Sequence, residues 1–212
     1  MASIRLFGIV HWCGGSIIHE RFILTTAQCV EENDFKVSVG SDSLEEGGKL
    51  YDVVKTISHD QYSNKTGDYD VALLKLNESL TFGPAVSRVL LKGNLVKVKL
   101  GTMLNITGWG GKDSNFEMSD LLQQTTVPVV SNKKCEESFE GLQITNRMMC
   151  TEAINKDPCL FDEGGPLTYN NVQIGIITIQ SGCGKSPSVY TRVKTINQWI
   201  KKTIRTNLNE KE

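Results

Sequence analysis

The sequence predicts an all-β protein, and three observations carry that expectation. Short runs of four to eight residues, rich in Val, Ile and Thr, recur between turn signals. Nineteen glycines supply the many tight turns such a chain needs. Helical spacing of apolar residues is confined to two places, one short and internal, the other at the C-terminus. Strands of this length and frequency suit a sandwich or a barrel.

Taken in order, the strand-like runs begin with Ile4–Phe7. They continue with Arg21–Ala27, Phe35–Val39 and Val71–Leu76 in the first half of the chain. The second half offers Leu104–Thr107, Thr125–Val130, Val172–Ile179 and Val189–Val193. A looser stretch, Gly83–Gly101, is placed to link the halves. Ser131 or Asn132 can cap a short helix running through Cys135 and Phe139. Ile196, Trp199, Ile200 and Ile204 fall on one helical face, with lysines between them, and the tail Asn207–Glu212 reads as frayed. No internal repeat or low-complexity segment interrupts the pattern.

Composition narrows the function classes. Charged residues make up 22% and hydrophobic ones 39%, which argues for a folded globular chain rather than a disordered one. The formal net charge of −1 gives no electrostatic footprint for nucleic acid. Lys194, Lys201, Lys202 and Arg205 read as the wet face of the C-terminal helix. No stretch is long and apolar enough to cross a membrane as a helix.

The six cysteines form no C-x-x-C pair, which argues against a zinc or thioredoxin-type site; no metal or cofactor is expected, and an oxidised, secreted protein is the simplest reading. Sequons begin at Asn64, Asn77 and Asn105, acceptors only on a secretory route. A secreted chain carries a leader, whereas Met1-Ala2-Ser3 runs straight into strand-like sequence. The sequence therefore reads as a trimmed product or fragment.

Three blocks carry a family resemblance. They are W-C-G-G-S-I-I at Trp12–Ile18 with L-T-T-A-Q-C at Leu24–Cys29, D-Y-D-V-A-L-L-K-L at Asp68–Leu76, and C-L-F-D-E-G-G-P-L at Cys159–Leu167. G-I-I-T at Gly175–Thr178, V-Y-T-R-V at Val189–Val193, T-G-W-G at Thr107–Gly110 and L-Q-Q-T-T-V-P-V-V at Leu122–Val130 follow the same order. In order and spacing the chain resembles the chymotrypsin/trypsin family of serine proteases over nearly its whole length. The resemblance implies two six-stranded antiparallel β-barrels with a cleft between them and a C-terminal α-helix. The whole chain, 1–212, would be one domain: first barrel and linker in 1–100, second barrel in 101–193, helix and tail in 194–212. It also implies disulfides Cys13–Cys29, Cys135–Cys150 and Cys159–Cys183, each closing a short loop and contributing about 3 kcal/mol.

The same resemblance shows where the chemistry is missing. A serine protease needs a nucleophilic hydroxyl, a histidine base and an aspartate that orients it. The base position holds Gln28, which has no titratable group. Asp70 matches the aspartate, and the nucleophile position holds Glu163. The three histidines, His11, His19 and His59, all lie away from the base position; His59 matches a structural His-x-x-Tyr feature with Tyr62. Phe161 stands where the family has a glycine whose N–H serves the oxyanion hole, so that hole is expected to be damaged.

In the specificity pocket, Asp157 matches the residue that gives trypsin-like members their preference for Lys and Arg. Ile179, Gln180 and Ser188 replace a tryptophan and two glycines of its walls, which predicts an occluded pocket, and Leu160 replaces a common polar residue. Asp162 matches the aspartate that pairs with a freshly cut N-terminus in active relatives, yet no Ile-Val-Gly-Gly start is present. With Asp70, Asp162 and Glu163 near one another, like-charge repulsion is expected to raise the Glu163 pKa. Gly164, Gly165 and Pro166 hold the turn whether or not catalysis takes place, and Trp109 and Trp199 are core residues in either case.

This pattern is closest to the scabies mite inactivated serine protease paralogues, relatives of mite trypsin-like allergens. That resemblance implies a secreted pseudoprotease of the mite gut that binds host plasma proteins, complement components among them, and blocks complement activation. The alternative is a decoy that holds peptides without cutting them. A third reading, an enzyme using Asp70 and Glu163 as a carboxylate pair, has no motif behind it.

Overall fold

The computed structural model describes the chain apart from residues 32–33, 92–95, 112–116, 140, 153–159, 180–186 and 210–212. Six strands close the first barrel: β1 (Ala2–Leu6), β2 (Val10–His19), β3 (Phe22–Thr25), β4 (Phe35–Val39), β5 (Lys49–Ser58) and β6 (Ala72–Leu76), in the order β1-β2-β3-β6-β5-β4. The second holds β7 (Met103–Gly108), β8 (Gln123–Val130), β9 (Met148–Thr151), β10 (Pro166–Tyr169), β11 (Val172–Ile179) and β12 (Ser188–Arg192), in the order β10-β11-β12-β9-β8-β7. All ladders are antiparallel, and closure leaves neither sheet a free edge. A short helix, α1 (Asn132–Glu136), and a long C-terminal helix, α2 (Val193–Asn209), complete the chain.

Each barrel has its own core. Ile4, Val37 and Leu74 fill the first, and Leu104, Ile177 and Tyr190 the second. A third cluster joins the barrels to α2: Phe22, Leu24 and Leu73 meet Ile176, Val193, Ile196 and Ile200. This explains why β3 and β6 are apolar without alternation. Ile23 and Leu74 point into the first barrel, while Phe22, Leu24 and Leu73 point outward onto the helix and second barrel. Burying each such side chain contributes about 1.5–3 kcal/mol. An Asp68–Arg147 ion pair, with the guanidinium 4.6 Å from the Tyr69 ring centroid, adds a polar tie between the halves.

Four strands escaped the sequence reading. β2 carries Gly14 and Gly15, poor strand formers kept for close approach. A Cβ on Gly15 would lie 2.7 Å from Ile23 Cγ2, and one on Gly14 would lie 3.0 Å from the Gly165 backbone of the other barrel. Along β5 only Tyr51 is buried, so it has little apolar signal. β9 is Met-Met-Cys-Thr, and β10 begins at a proline after a glycine turn.

The helices differ in detail from expectation. Ser131 caps α1, its hydroxyl accepting from Lys134 N at 3.2 Å, but the helix ends at Glu136, and Phe139 packs against the Cys135–Cys150 region from a turn. α2 runs through Asn209, so Asn207–Asn209 are helical rather than frayed. The reason lies on β6: Lys75, only 6% exposed, donates from Nζ to Asn207 O at 2.9 Å. A buried ammonium thus finds its acceptor at the negative end of a helix. Disulfides Cys13–Cys29 and Cys135–Cys150 are formed, with Cα separations of 6.1 and 6.2 Å. The third pair, Cys159 and Cys183, lies outside the described residues.

Truncation after Thr206 removes the acceptor of Lys75 and should cost about 1–3 kcal/mol, read as a lower urea midpoint. Adding Lys75→Met should recover part of the loss by removing the stranded charge. A truncated Lys75→Met variant no more stable than the truncated parent would show that this contact does not hold the helix end.

Candidate functional site

The Phe161–Gly165 turn sits where the two barrels meet, pinned from both sides. Gly14 N on β2 donates to Glu163 O at 2.7 Å, Gly164 N donates to Ile177 O at 2.9 Å, and Ile177 N donates to Gly165 O at 2.9 Å. Gly164 has φ +79°, and any Cβ there would overlap Thr25 Oγ1 and Gly14 O, so only glycine fits. The position of Glu163 in the cleft is therefore set by backbone, not by its side chain.

The Glu163 carboxylate folds back onto that backbone. Oε2 accepts from Phe161 N at 2.8 Å, and the carboxylate also takes the N–H of Glu163 itself. In a serine protease the N–H of the nucleophile and the N–H two residues earlier form the oxyanion hole. Glu163 thus places its own anion on the donor pair that would otherwise bind a reacting carbonyl oxygen. Burial, the largest cause, pushes its pKa up to about 7; the two N–H bonds oppose the shift, and the Asp162 charge adds to it. The expected direction holds, but desolvation outweighs like-charge repulsion. The repulsion comes from Asp162 and not from Asp70, whose carboxylate is held by Gln28.

Phe161 corrects a second expectation. It adopts φ +78°, the conformation a glycine would take, so the N–H donor is present rather than lost. A non-glycine residue there costs on the order of 1–2 kcal/mol. His11 supports the strained peptide: Nε2 lies 3.0 Å from Phe161 O, and Nδ1 lies 2.8 Å from Ser3 Oγ. A carbonyl can only accept, so Nε2 carries the proton and Nδ1 accepts from the Ser3 hydroxyl. Arg5 Nε in turn donates to Ser3 Oγ at 3.3 Å. Burial holds His11 neutral, its pKa pulled down to about 4. Nothing in the sequence pattern marked His11 for this role; only the fold brings it to residue 161.

Asp162 is buried beside this turn. Its Oδ1 accepts from Gly110 N at 2.8 Å, and a Cβ on Gly108 or Gly110 would overlap its carboxylate. The two glycines of the T-G-W-G motif make room for that acid.

Across the cleft, a neutral amide occupies the base position. Gln28 Nε2 donates to Asp70 Oδ2 at 2.8 Å and to Thr178 O at 2.6 Å, while Gln28 N donates to Asp70 Oδ1 at 3.0 Å. Gln28 therefore takes up the aspartate as a histidine would, without a proton to exchange. Asp70 is 2% exposed, and burial raises its pKa to about 7 despite the amide hydrogen bonds. An amide cannot balance a buried carboxylate as an imidazolium can.

Of the pocket residues, Ser188 is buried on β12 and Ile179 is half-buried at the end of β11. A Cβ on Gly67 would lie 2.9 Å from Ile179 Cδ1, so the Ser63–Asp68 loop of the first barrel closes directly over that side chain. Asp157 and Gln180 lie outside the described residues. Leu160 is exposed at the turn entrance. His59 stacks on Tyr69 at 4.4 Å and tilts against Trp199 at 5.0 Å, a packing role at the helix junction. Asn64 and Asn77 are exposed, and Asn105 is partly exposed on β7. Among the described residues no group of three His, Cys, Asp or Glu side chains could hold a metal.

Comparison with known proteins bears on this arrangement. The Trypsin family model matches residues 1–200. The chain is 37% identical over 208 residues to Trypsin 5G1 of Aedes aegypti, covering 94% of this chain and 77% of that one. It is 37% identical over 205 residues to anionic trypsin of Bos taurus, covering 93% and 81%. Among solved structures it superposes on mouse neuropsin, a serine protease of the limbic system, with a TM-score of 0.88 at 31% identity, covering 96% of this chain and 93% of that one.

The raised pKa of Glu163 sets a pH dependence. An acid whose folded pKa is raised contributes stability that is fully present below its unfolded value and lost as pH rises through the folded value. Stability from Glu163 should therefore fall between about pH 4.5 and about pH 7. Asp70 acts in the same direction and His11 in the opposite one, so the difference between proteins isolates the Glu163 share. Glu163→Gln, which keeps an acceptor for Phe161 N, should be more stable than the parent at pH 8 and nearly equal at pH 4. Parallel pH profiles from urea denaturation would contradict the buried, raised-pKa carboxylate.

Proposed function

The chain belongs to the trypsin family of serine proteases, and from that membership we propose a protein that keeps the protease scaffold, lacks its chemistry and acts by binding. The observation that carries this reading is the Glu163 carboxylate resting on Phe161 N–H, where acyl transfer would need an open oxyanion hole beside a hydroxyl. Gln28 adds to it, because an amide held by Asp70 and Thr178 O cannot take a proton from any nucleophile. In a related protease, losing the triad costs about a millionfold in kcat, with the residue of catalysis coming from the oxyanion hole and binding. A filled hole removes that residue as well. The carboxylate-pair enzyme gains nothing here, since Asp70 is committed to Gln28 and Glu163 to the turn backbone.

For the positive function, resemblance to the scabies mite inactivated paralogues supports secretion in a mite gut and binding of host complement components, with inhibition of complement as the outcome. Two disulfides accord with an oxidising compartment. The alternative, a peptide-holding decoy, is disfavoured by Ile179, which packs against Gly67 of the first barrel.

Both halves of the proposal are open to test. The parent protein should resist labelling by a fluorophosphonate, which needs an activated serine. Gln28→His with Glu163→Ser should acquire labelling while hydrolysing peptides poorly, because the altered pocket wall at Ile179 and Ser188 remains. Purified parent protein should lower complement-mediated lysis of sensitised erythrocytes in dose-dependent fashion. Labelling or peptide cleavage by the parent would sink the inactive reading, and unchanged lysis would remove complement as the partner system.

A further inference from the structure

We infer that the concave face between the 96–99 segment and the second barrel is a binding site for an amphiphilic organic anion, one charged oxyanion head on a compact apolar body. The site lies away from the protease cleft, at the flank where the connection between the barrels crosses β9, β11 and the start of α2. Its floor is apolar: Met149 and Ile174 belong to the second barrel core, and Val96 and Val98 pack against that core from the connecting segment. Its rim is cationic, formed by Lys97, Lys99, Arg192 and Lys194, with no acidic side chain among the described residues that line it. The cavity is about 440 Å³, within the range that small organic ligands occupy.

Three features separate this site from an ordinary basic surface. First, the whole chain has a formal charge of −1, so four clustered cations are a local concentration rather than a general bias. Second, among the described residues none of the four is ion-paired; the pairs formed are Lys36–Asp52, Lys49–Glu78, Lys134–Glu152 and Arg147–Asp68. Third, the Arg192 guanidinium is half-buried, and desolvation lowers its pKa, with no acid among the described residues offsetting it. Its Nε and Nη2 donate to Met148 O at 3.3 and 2.9 Å, which fixes the plane of the guanidinium; among the described residues Nη1 has no hydrogen-bond partner. A desolvated, oriented cation without a counter-charge is the arrangement an incoming oxyanion satisfies.

The alternation along 96–99 gives the ligand class. Val96 and Val98 are half-buried while Lys97 and Lys99 are exposed, so the segment presents an apolar inner face below a charged outer one. An inorganic anion would use the rim and leave the floor wet. A long polyanion would ride over the lysines without entering. A ligand with one sulfonate, sulfate or carboxylate and a ring-sized apolar body uses both.

The probe is 2-naphthalenesulfonate, titrated calorimetrically into the full chain, with uncharged 2-naphthalenesulfonamide, inorganic sulfate and a sulfated polysaccharide as comparison arms. We expect one saturable site for the arylsulfonate, with sulfonamide and sulfate each at least roughly tenfold weaker. Lys97→Glu with Lys194→Glu, both at exposed positions, should weaken the arylsulfonate at least roughly tenfold with the circular dichroism spectrum unchanged. Val98→Trp, which fills the cavity, should abolish binding. The inference is overturned if the arylsulfonate does not saturate, if the lysine reversals leave its affinity unchanged, if sulfate binds as tightly, or if only the polysaccharide binds.

Discussion

The backbone hydrogen bonds that clamp the 161–165 turn between the barrels are the constraint on which the cleft depends. Gly14 N holds it from the first barrel, and the two bonds to Ile177 hold it from the second. Thr25 Oγ1 donates to Gly14 O at 2.9 Å and fixes the strand that does the holding. The glycines at 14, 164 and 165 exist so that backbones can meet at distances no side chain would allow. These contacts make the turn part of the docking of one barrel on the other, whatever stands at position 163. A chain that gives up the nucleophile can therefore keep the entire frame, and replacing that frame would cost it the fold.

Electrostatics follow from the occupants of the frame. Asp70 and Glu163 are two carboxyls in a cleft whose nearest polar partners are neutral: an amide at Gln28 and peptide N–H groups at 161 and 163. Both carboxyls have pKa values raised to about 7. His11, a titratable base in contact with the turn, is buried and neutral and is spent on holding the Phe161 carbonyl. A protease cleft arranges an acid, a base and a nucleophile so that protons move between them. Here, among the described residues, Asp70 is bonded to the Gln28 amide, Glu163 to the Phe161 N–H and His11 to the Phe161 carbonyl.

Much of this was legible in the sequence, and the remainder failed for physical reasons. The Val-, Ile- and Thr-rich runs marked eight of the strands because those residues have a β preference. β2 and β10 were hidden by glycine and proline that serve contacts between barrels, and β5 by its exposure. Gln28 and Glu163 were readable because a motif fixes their positions. The state of Phe161 was not, because a residue with a Cβ is expected to leave φ > 0, and only the His11 contact and the clamped turn keep it there. The engagement of Asp70 by the Gln28 amide likewise depends on side-chain directions that spacing along a chain does not encode. The helical state of Asn207–Asn209 rests on Lys75, a residue 132 positions away.

The hydrogen bond from Phe161 N–H to Glu163 is directly observable as a backbone amide signal. In a ¹⁵N-labelled sample the Phe161 amide proton should be shifted strongly downfield at pH 8 and move upfield as pH falls, with a midpoint near the pKa of about 7 assigned to Glu163. The same signal in Glu163→Ala should lie upfield and show no such midpoint. A Phe161 amide that is indifferent both to pH and to removal of the carboxylate would contradict the self-occupied oxyanion hole.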